Sequence, residues 1–382
     1  LQSKKELWRI KEQPMKKKRN IQWTTVLAIL IFVFLGTAPF YMSMFRIGLL
    51  GKYVCFAIVA VGLDMIWGYT GILSLGHGVY FGLGAYCMAM YLKLEASGGA
   101  LPDFMAWSGV TRLPLLWKPF ANPMFAMLMA VAVPVVLAVI IGYLTFLNRI
   151  KGVYFSILSQ ALAMILAVLL VGSQGFTGGS NGLTNFTTIF GKSLSAPMTK
   201  LILFYVALLV LILIFVLCRY LVKQRIGKIF IAIRDGENRV RFAGYNPAKY
   251  KVFVYALSAA IAGIAGAIYV TQVGIISPGE VGITPSVEMI IWVAVGGKGT
   301  LAGPILGALG VNAMKTIASE RFPEMWSYFI GILFVVVILW LPGGLVSLKE
   351  VPERWKKRFK KQILTEEKEE VLPEGKEEGE IC

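Results

Sequence analysis

The chain has 382 residues, 57% hydrophobic and 15% charged, with a mean hydropathy of +0.70. No compact soluble fold could keep that much apolar surface from water, so this is an integral membrane protein. The formal net charge of +17 gathers at span ends and termini, where cations meet anionic headgroups, and this placement excludes nucleic acid as a partner. The single histidine, His77, and four cysteines at 55, 87, 218 and 382, without paired spacing, argue against a metal centre or a disulfide framework; no cofactor is expected.

Residues 1–20 form a basic segment containing KKELWRIKEQPMKKKRN, and no small-residue cleavage site follows the apolar run that starts at Ile21. That run is therefore predicted to be a retained first span. A helix rises about 1.5 Å per residue, so crossing about 30 Å of hydrocarbon takes roughly 20 apolar residues. Segments that qualify are Trp23 to Met44, Ile47 to Trp67, Met124 to Leu147, Gly152 to Val171, Leu201 to Leu217, Val252 to Gly274 and Tyr328 to Val346. Gly76 to Leu92, Ser286 to Val295 and Leu301 to Ala318 are shorter or interrupted by glycine. Residues 21–348 are thus predicted to form an all-α, polytopic transmembrane bundle of about ten spans, eight if short ones merge.

Cations orient the bundle. The N-terminal segment, Asn148 to Lys151, the loop 219–251 and ERWKKRFKK near the C-terminus are cytoplasmic under the positive-inside rule, while the poorly charged loops Lys93 to Pro123 and Gly172 to Lys200 face outward. Both termini are then cytoplasmic. From 349 to 382 the chain turns from basic to acidic without apolar periodicity, which reads as a solvated, disordered tail.

The loop 219–251 carries nine basic and two acidic residues. Ile226, Ile229, Phe230 and Ile233, at i, i+3, i+4 and i+7, make one apolar stripe on a basic helix that ends at the polar turn Asp235, Gly236, Glu237. This predicts an interfacial helix lying along the membrane, and a natural grip for a soluble partner.

Two glycine clusters, GYTGILSLGHGVYFGLGAY (68–86) and VGGKGTLAGPILGALG (295–310), each follow a span and continue into a helix with G-x-x-x-G spacing. They suit close helix packing, and equally a pair of discontinuous helices around a pathway. Asp64 and Glu288 are acids in or near spans; each could line a pathway, pair with a basic neighbour or bond to an exposed helix end. Gln160, Gln272 and Asn312 suit either an interhelical hydrogen bond or the lining of a route for a polar solute. Gly191, Lys192 and Ser193 spell GKS, but Phe186 stands where a phosphate-binding loop needs its first glycine, and the segment is outward. With no G-x-S-x-G or H-E-x-x-H either, an enzyme is not expected.

Taken together, GYTGILSLGHGVYFGLGAY, IRDGENRVRFAGYNPAKYKVFVYALSAAIAGIAGAIY from Ile233 and IISPGEVGITPSVEMIIWVAVGGKGTLAGPILGALGVN from Ile275 resemble the permease subunits of the branched-chain amino acid and urea class of ABC importers. The likeness runs from about Gly48 to Leu348. LPDFMAWSGVTRLPLLWKPF, KGVYFSI from Lys151, and IWVAVGGKGTL followed by VNAMK look like the urea branch, whose solute is neutral and planar; branched-chain amino acids are the alternative.

The resemblance implies a bacterial inner-membrane importer. Its expected partners are a paralogous permease, two cytoplasmic ATPase subunits and an extracytoplasmic solute-binding protein. It further implies ATPase coupling through Arg234, Asp235, Glu237, Arg241, Ala243 and Gly244. The E-A-A-x-x-x-G coupling pattern is loose here, since Asn238 and Arg239 occupy the two alanine positions. Ser74, His77, Gln160, Gln272, Glu288 and Asn312 are the expected pathway-lining groups. An ion-coupled secondary transporter is the second alternative, because broken helices and an intramembrane acid suit it too, and a passive channel for urea is a third.

Overall fold

The computed structural model describes residues 24–150 and 152–322, with isolated positions between 328 and 346. The basic segment 1–20, the tail 349–382 and most of the span expected at Tyr328 to Val346 lie outside the described residues. Each other expected span is a helix. They are α1 (Thr24–Phe40), α2 (Met44–Thr70), α3 (His77–Ala96), α5 (Pro123–Leu147), α6 (Val153–Gly172), α8 (Pro197–Lys223), α10 (Pro247–Val273), α11 (Ile283–Gly296) and α12 (Ala302–Arg321). Short helices α4 (Asp103–Trp107) and α7 (Gln174–Thr177) lie in the outer loops, and α9 (Arg225–Phe242) is the basic helix. Five of them, α2, α5, α6, α8 and α10, are long and apolar enough to cross a membrane.

Local chemistry sets the boundaries. Asn122 and Asn246 accept from the amides of Met124 and Ala248, capping α5 and α10, and each is followed by proline at the first helical position. α10 is the hub, packed against α2, α3 and α5. Glycine permits the closest of these contacts: a Cβ on Gly84 of α3 would stand 2.2 Å from the carbonyl oxygen of Gly263 on α10. On α11 and α12 the same device recurs, with Gly303 against Gly296 and Gly307 against the Trp292 carbonyl. The G-x-x-x-G pair of the second cluster thus serves helix packing, while Gly78 and Gly82 of the first admit Glu280 and Val281 against α3.

The backbone is also broken beside both clusters. α2 ends near the cytoplasmic surface, yet His77, the first residue of α3, hydrogen-bonds Ser258 in the middle of α10. Residues 71–76 therefore run unwound back to mid-depth. α11, with 14 residues, spans only about 21 Å at 1.5 Å per residue. Its Ser286 hydroxyl accepts from the Gly78 amide near the start of α3, so α11 is a half-helix running from mid-depth to the cytoplasmic end. Such backbone is tolerated where protein or a cavity surrounds it.

Outer loops cap the bundle. Lys93 pairs with Asp103 at 2.7 Å and donates to the Thr184 carbonyl at 3.0 Å. Burial alone would raise the Asp103 carboxyl; the Lys93 hydrogen bond and the Phe104 amide outweigh it and hold it below its ordinary value. Strands β1 (Thr188–Ile189) and β2 (Lys192–Ser193) make a hairpin whose turn amides, Phe190 and Gly191, donate to the Glu95 carboxylate at 3.2 and 2.7 Å. The GKS triplet is thus a hairpin turn fastened to a carboxylate.

Because the Gly84 contact is backbone against backbone, Gly84→Ala should destabilise the protein in detergent by at least about 1–3 kcal/mol. Gly48→Ala, which meets nothing within 4 Å, should leave the melting temperature unchanged or raised, as thermal unfolding followed by tryptophan fluorescence would show.

Candidate functional site

Three chain segments meet at the cytoplasmic end of α2. Asp64, fully buried, accepts from the Gly299 amide at 2.6 Å and the Leu301 amide at 3.1 Å. Those amides belong to the link between α11 and α12, where a helix N-terminus leaves its N–H groups without intrahelical partners and favours a negative charge. One turn beyond Asp64, the Gly68 carbonyl accepts from Arg234 Nη1 of α9 at 2.8 Å. The basic helix is thereby tied to α2, and α2 to the α11–α12 link. A buried carboxylate is costly unless hydrogen-bonded; here two amides and a nearby guanidinium compensate it. Of the roles open to Asp64 in the sequence, the bond to an exposed helix end is the one the geometry supplies.

α9 breaks at Gly236, as the polar turn predicts, and continues as a second helical piece. Of the stripe, Phe230 and Ile233 are buried while Ile226 and Ile229 are half-buried. Phe230 faces the Phe253 ring of α10. The stripe therefore closes the base of the bundle instead of lying on lipid, a correction that follows from α2, α8 and α10 all packing against α9. Beyond the break, Glu237 holds Arg241 at 3.0 Å and Lys251 at 2.7 Å. Gly244 ends the helix at φ +84°, where any side chain would be strained, and Tyr245 N–H closes back on the Val240 carbonyl.

Of the six expected coupling residues, Arg234 is tied to Gly68, Glu237 and Arg241 pair with each other, and Asp235, which pairs with Arg234 at 3.0 Å, is exposed along with Ala243 and Gly244. Sequence reasoning missed Phe242, the most exposed large apolar side chain among the described residues at 92%. Its signal was its position: it falls off the stripe, two residues past Val240. Lys251, the buried partner of Glu237, was likewise missed.

The expected pathway residues divide. Glu288 and Asn312 line a cavity of about 500 Å³ between α2, α11 and α12. Glu288 is bound by Lys315 Nζ at 2.7 and 2.9 Å, and Asn312 Nδ2 donates to the Ala308 carbonyl of its own helix. Since α2 runs inward and Lys52 and Tyr53 near its outer end form part of the wall, the cavity occupies the outer half of the membrane. Gln272 packs beside it against Gly51, with Nε2 buried and without an acceptor.

Ser74 and His77 lie elsewhere, fully buried. Ser258 Oγ donates to the Gly62 carbonyl at 2.6 Å, so it accepts from His77 Nε2–H at 2.8 Å, and Nδ1 is the bare nitrogen. With Tyr80 Oη donating to Tyr255 Oη at 2.6 Å, this network fastens α3 to α2 and α10. Gln160 is half-exposed on α6, apart from both groups, between the outward Ile157 and Met164. A second cavity of about 500 Å³ opens at the cytoplasmic end, walled by Thr70, Phe146, Phe155, Ile233, Arg234 and Lys251.

A bundle with broken helices, a charged cavity on one face and a basic helix at its cytoplasmic base has the parts of a transport subunit. The family model for the permease component of branched-chain amino acid transport systems matches residues 45–338. The chain belongs to that family. It is 26% identical to the high-affinity branched-chain amino acid transport system permease protein LivM of Escherichia coli, over 81% of this chain and 72% of the relative. It is 22% identical to the corresponding permease BraD of Pseudomonas aeruginosa, over 78% and 92%. Against the autoinducer 2 import system permease LsrC of Yersinia pestis it is 24% identical, over 78% and 83%. No solved structure matches. The permease is thus a multi-pass subunit of an ABC importer in the cytoplasmic membrane, working with ATPase and solute-binding partners, and is not itself an enzyme.

Asp64→Ala should leave two buried amides unsatisfied and cost about 2–5 kcal/mol. Asp64→Asn, which keeps one acceptor oxygen, should cost less. Melting temperatures of the two variants in detergent test this ordering, and equal losses would contradict it.

Proposed function

We propose that the permease forms one half of a translocation path, with a paralogous permease as the other half, and that the outer end of this path is the face carrying α2, α11 and α12. Residues 21–348 are the unit that does this, and 219–251 are its coupling element. One observation carries the reading: contacts run unbroken from the exposed end of α9, through Arg234 and Gly68, then Asp64 and the amides of Gly299 and Leu301, to α12, which walls the charged cavity. Movement imposed on α9 from the cytoplasm therefore reaches the wall of the path.

Asp235, Phe242, Ala243 and Gly244 present the face that an ATPase subunit grips, while Arg234, Glu237 and Arg241 hold that face to the bundle. An ion-coupled carrier has no use for a bare phenylalanine on a basic cytoplasmic helix, and this favours the ATP-driven importer over that alternative. ATP binding draws the two ATPases together, the gripped helices follow, and the bundles rock to alternate the opening.

For the solute, the likeness to LivM and BraD, both named for branched-chain amino acid transport, favours branched-chain amino acids, and that reading stands first. At this identity the same scaffold also serves autoinducer 2, so relatedness sets the class of transporter more firmly than its cargo. Urea is the second reading, carried by KGVYFSI and by IWVAVGGKGTL with VNAMK, motifs that resemble the urea branch.

Phe242→Ala should weaken ATPase association roughly thirtyfold, about 2 kcal/mol for an aromatic anchor at an interface, as measured by co-purification over a titration of ATPase. Unchanged association would remove α9 as the docking face. In whole cells, excess leucine should suppress labelled leucine uptake through the importer while excess urea does not; the reverse pattern assigns urea.

A further inference from the structure

The cavity between α2, α11 and α12 holds two kinds of charge. Glu288 and Lys315 neutralise each other at 2.7 Å. Lys52 and Glu280 do not: both line the cavity, both are half-buried, and among the described residues neither has an ion-pair partner. One aromatic side chain, Tyr269, adjoins both. Tyr269 donates its hydroxyl to Glu280 Oε1 at 3.1 Å, and its ring lies 5.9 Å from Lys52 Nζ, which also stands 5.6 Å from the Phe56 ring. Phe56 in turn packs on Trp292 with ring centroids 4.7 Å apart, so aromatic surface adjoins both charges. An unpaired ammonium and an unpaired carboxylate at membrane depth carry a desolvation cost that a structural role does not require, and such groups mark solute routes. The volume of about 500 Å³ is that of a small-molecule site.

We propose that this cavity is a transit site for a small solute with N–H donors at one end and an oxygen acceptor at the other. Glu280 takes the N–H end, Lys52 takes the oxygen, and the body of the solute rests on Phe56 and Trp292. Tyr269 is the positioning residue that sets the two charges apart and aimed. The inference rests on the permease reading and deepens it by making Lys52 and Glu280 specificity-determining. An amino acid and urea share the donor–acceptor chemistry and differ in charge. A carboxylate gains a full ion pair from Lys52 in a low-dielectric site, whereas the urea carbonyl gains a single charge-assisted hydrogen bond.

The test uses the complete importer in proteoliposomes, with its partner permease, ATPases and binding protein, and follows ATP-driven uptake of leucine and of urea separately. For an amino-acid importer, Lys52→Met and Glu280→Gln should each lower kcat/KM for leucine at least tenfold, with basal ATP hydrolysis and subunit stoichiometry unchanged, and Lys52→Arg should restore most of the loss. For a urea importer, the same two variants should lower urea uptake about threefold to fivefold, the smaller loss expected of a neutral ligand. A merely structural role would alter basal ATPase and assembly as well. If the wild-type importer is ATP-driven and both variants transport within twofold of it, the site is overturned and the permease reading stands. If ATP drives neither solute in the wild-type complex, the reading falls and takes the site with it.

Discussion

Everything at the cytoplasmic end of this permease depends on where the Asp64 carboxylate is satisfied. An acid buried in a membrane helix must find donors inside the protein, and the donors nearest to hand are amides that a helix N-terminus cannot use itself. Asp64 takes two of them, from Gly299 and Leu301. In doing so it fixes the start of α12 against α2 across 235 residues of sequence. Arg234 then brings α9 to the same point through the Gly68 carbonyl. One carboxylate and one guanidinium thereby tie three elements together at this point.

The glycines explain why such small groups suffice. Gly68 and Gly299 come so close that a Cβ on Gly68 would lie 2.4 Å from the Gly299 nitrogen, and the same intimacy holds α11 to α12 and α3 to α10. Close-packed backbone leaves little room for elements to slide independently, so displacement of one is passed to the next. Where the packing opens, on the outer side of α2, α11 and α12, the wall carries charge; where it opens at the base, α9 forms one side. The two openings lie toward opposite ends of the bundle.

Much of this was legible in the sequence, and the reason is the bilayer. Backbone groups in hydrocarbon must pair within a helix, so apolar runs such as Met124 to Leu147 or Val252 to Gly274 match α5 and α10 to within a few residues, and the glycine-interrupted runs gave α3, α11 and α12. The break at Gly236 was readable because Asp235, Gly236 and Glu237 interrupt the stripe. What the sequence did not show was tertiary. Nothing local to Asp64 names Gly299 as its partner. Nothing distinguishes Glu288, which meets Lys315 in a cavity, from Gln160, which stands alone on α6. Polarity alone groups His77 with the pathway residues, yet its neighbours Ser258, Tyr80 and Tyr255 are brought together only by folding. The stripe on α9 was readable as a stripe, but whether it met lipid or protein depended on α2, α8 and α10.

The central claim is that α9 drives the path through Arg234. The direct measurement is the number of solute molecules moved per ATP hydrolysed by the reconstituted importer carrying Arg234→Met, which removes the bond to Gly68 and leaves Phe242 and the exposed end of α9 in place. The account predicts that the ATPases still assemble and hydrolyse ATP while transport per ATP falls about tenfold, the equivalent of one charged hydrogen bond of about 1.4 kcal/mol. Wild-type transport per ATP in that variant would contradict it.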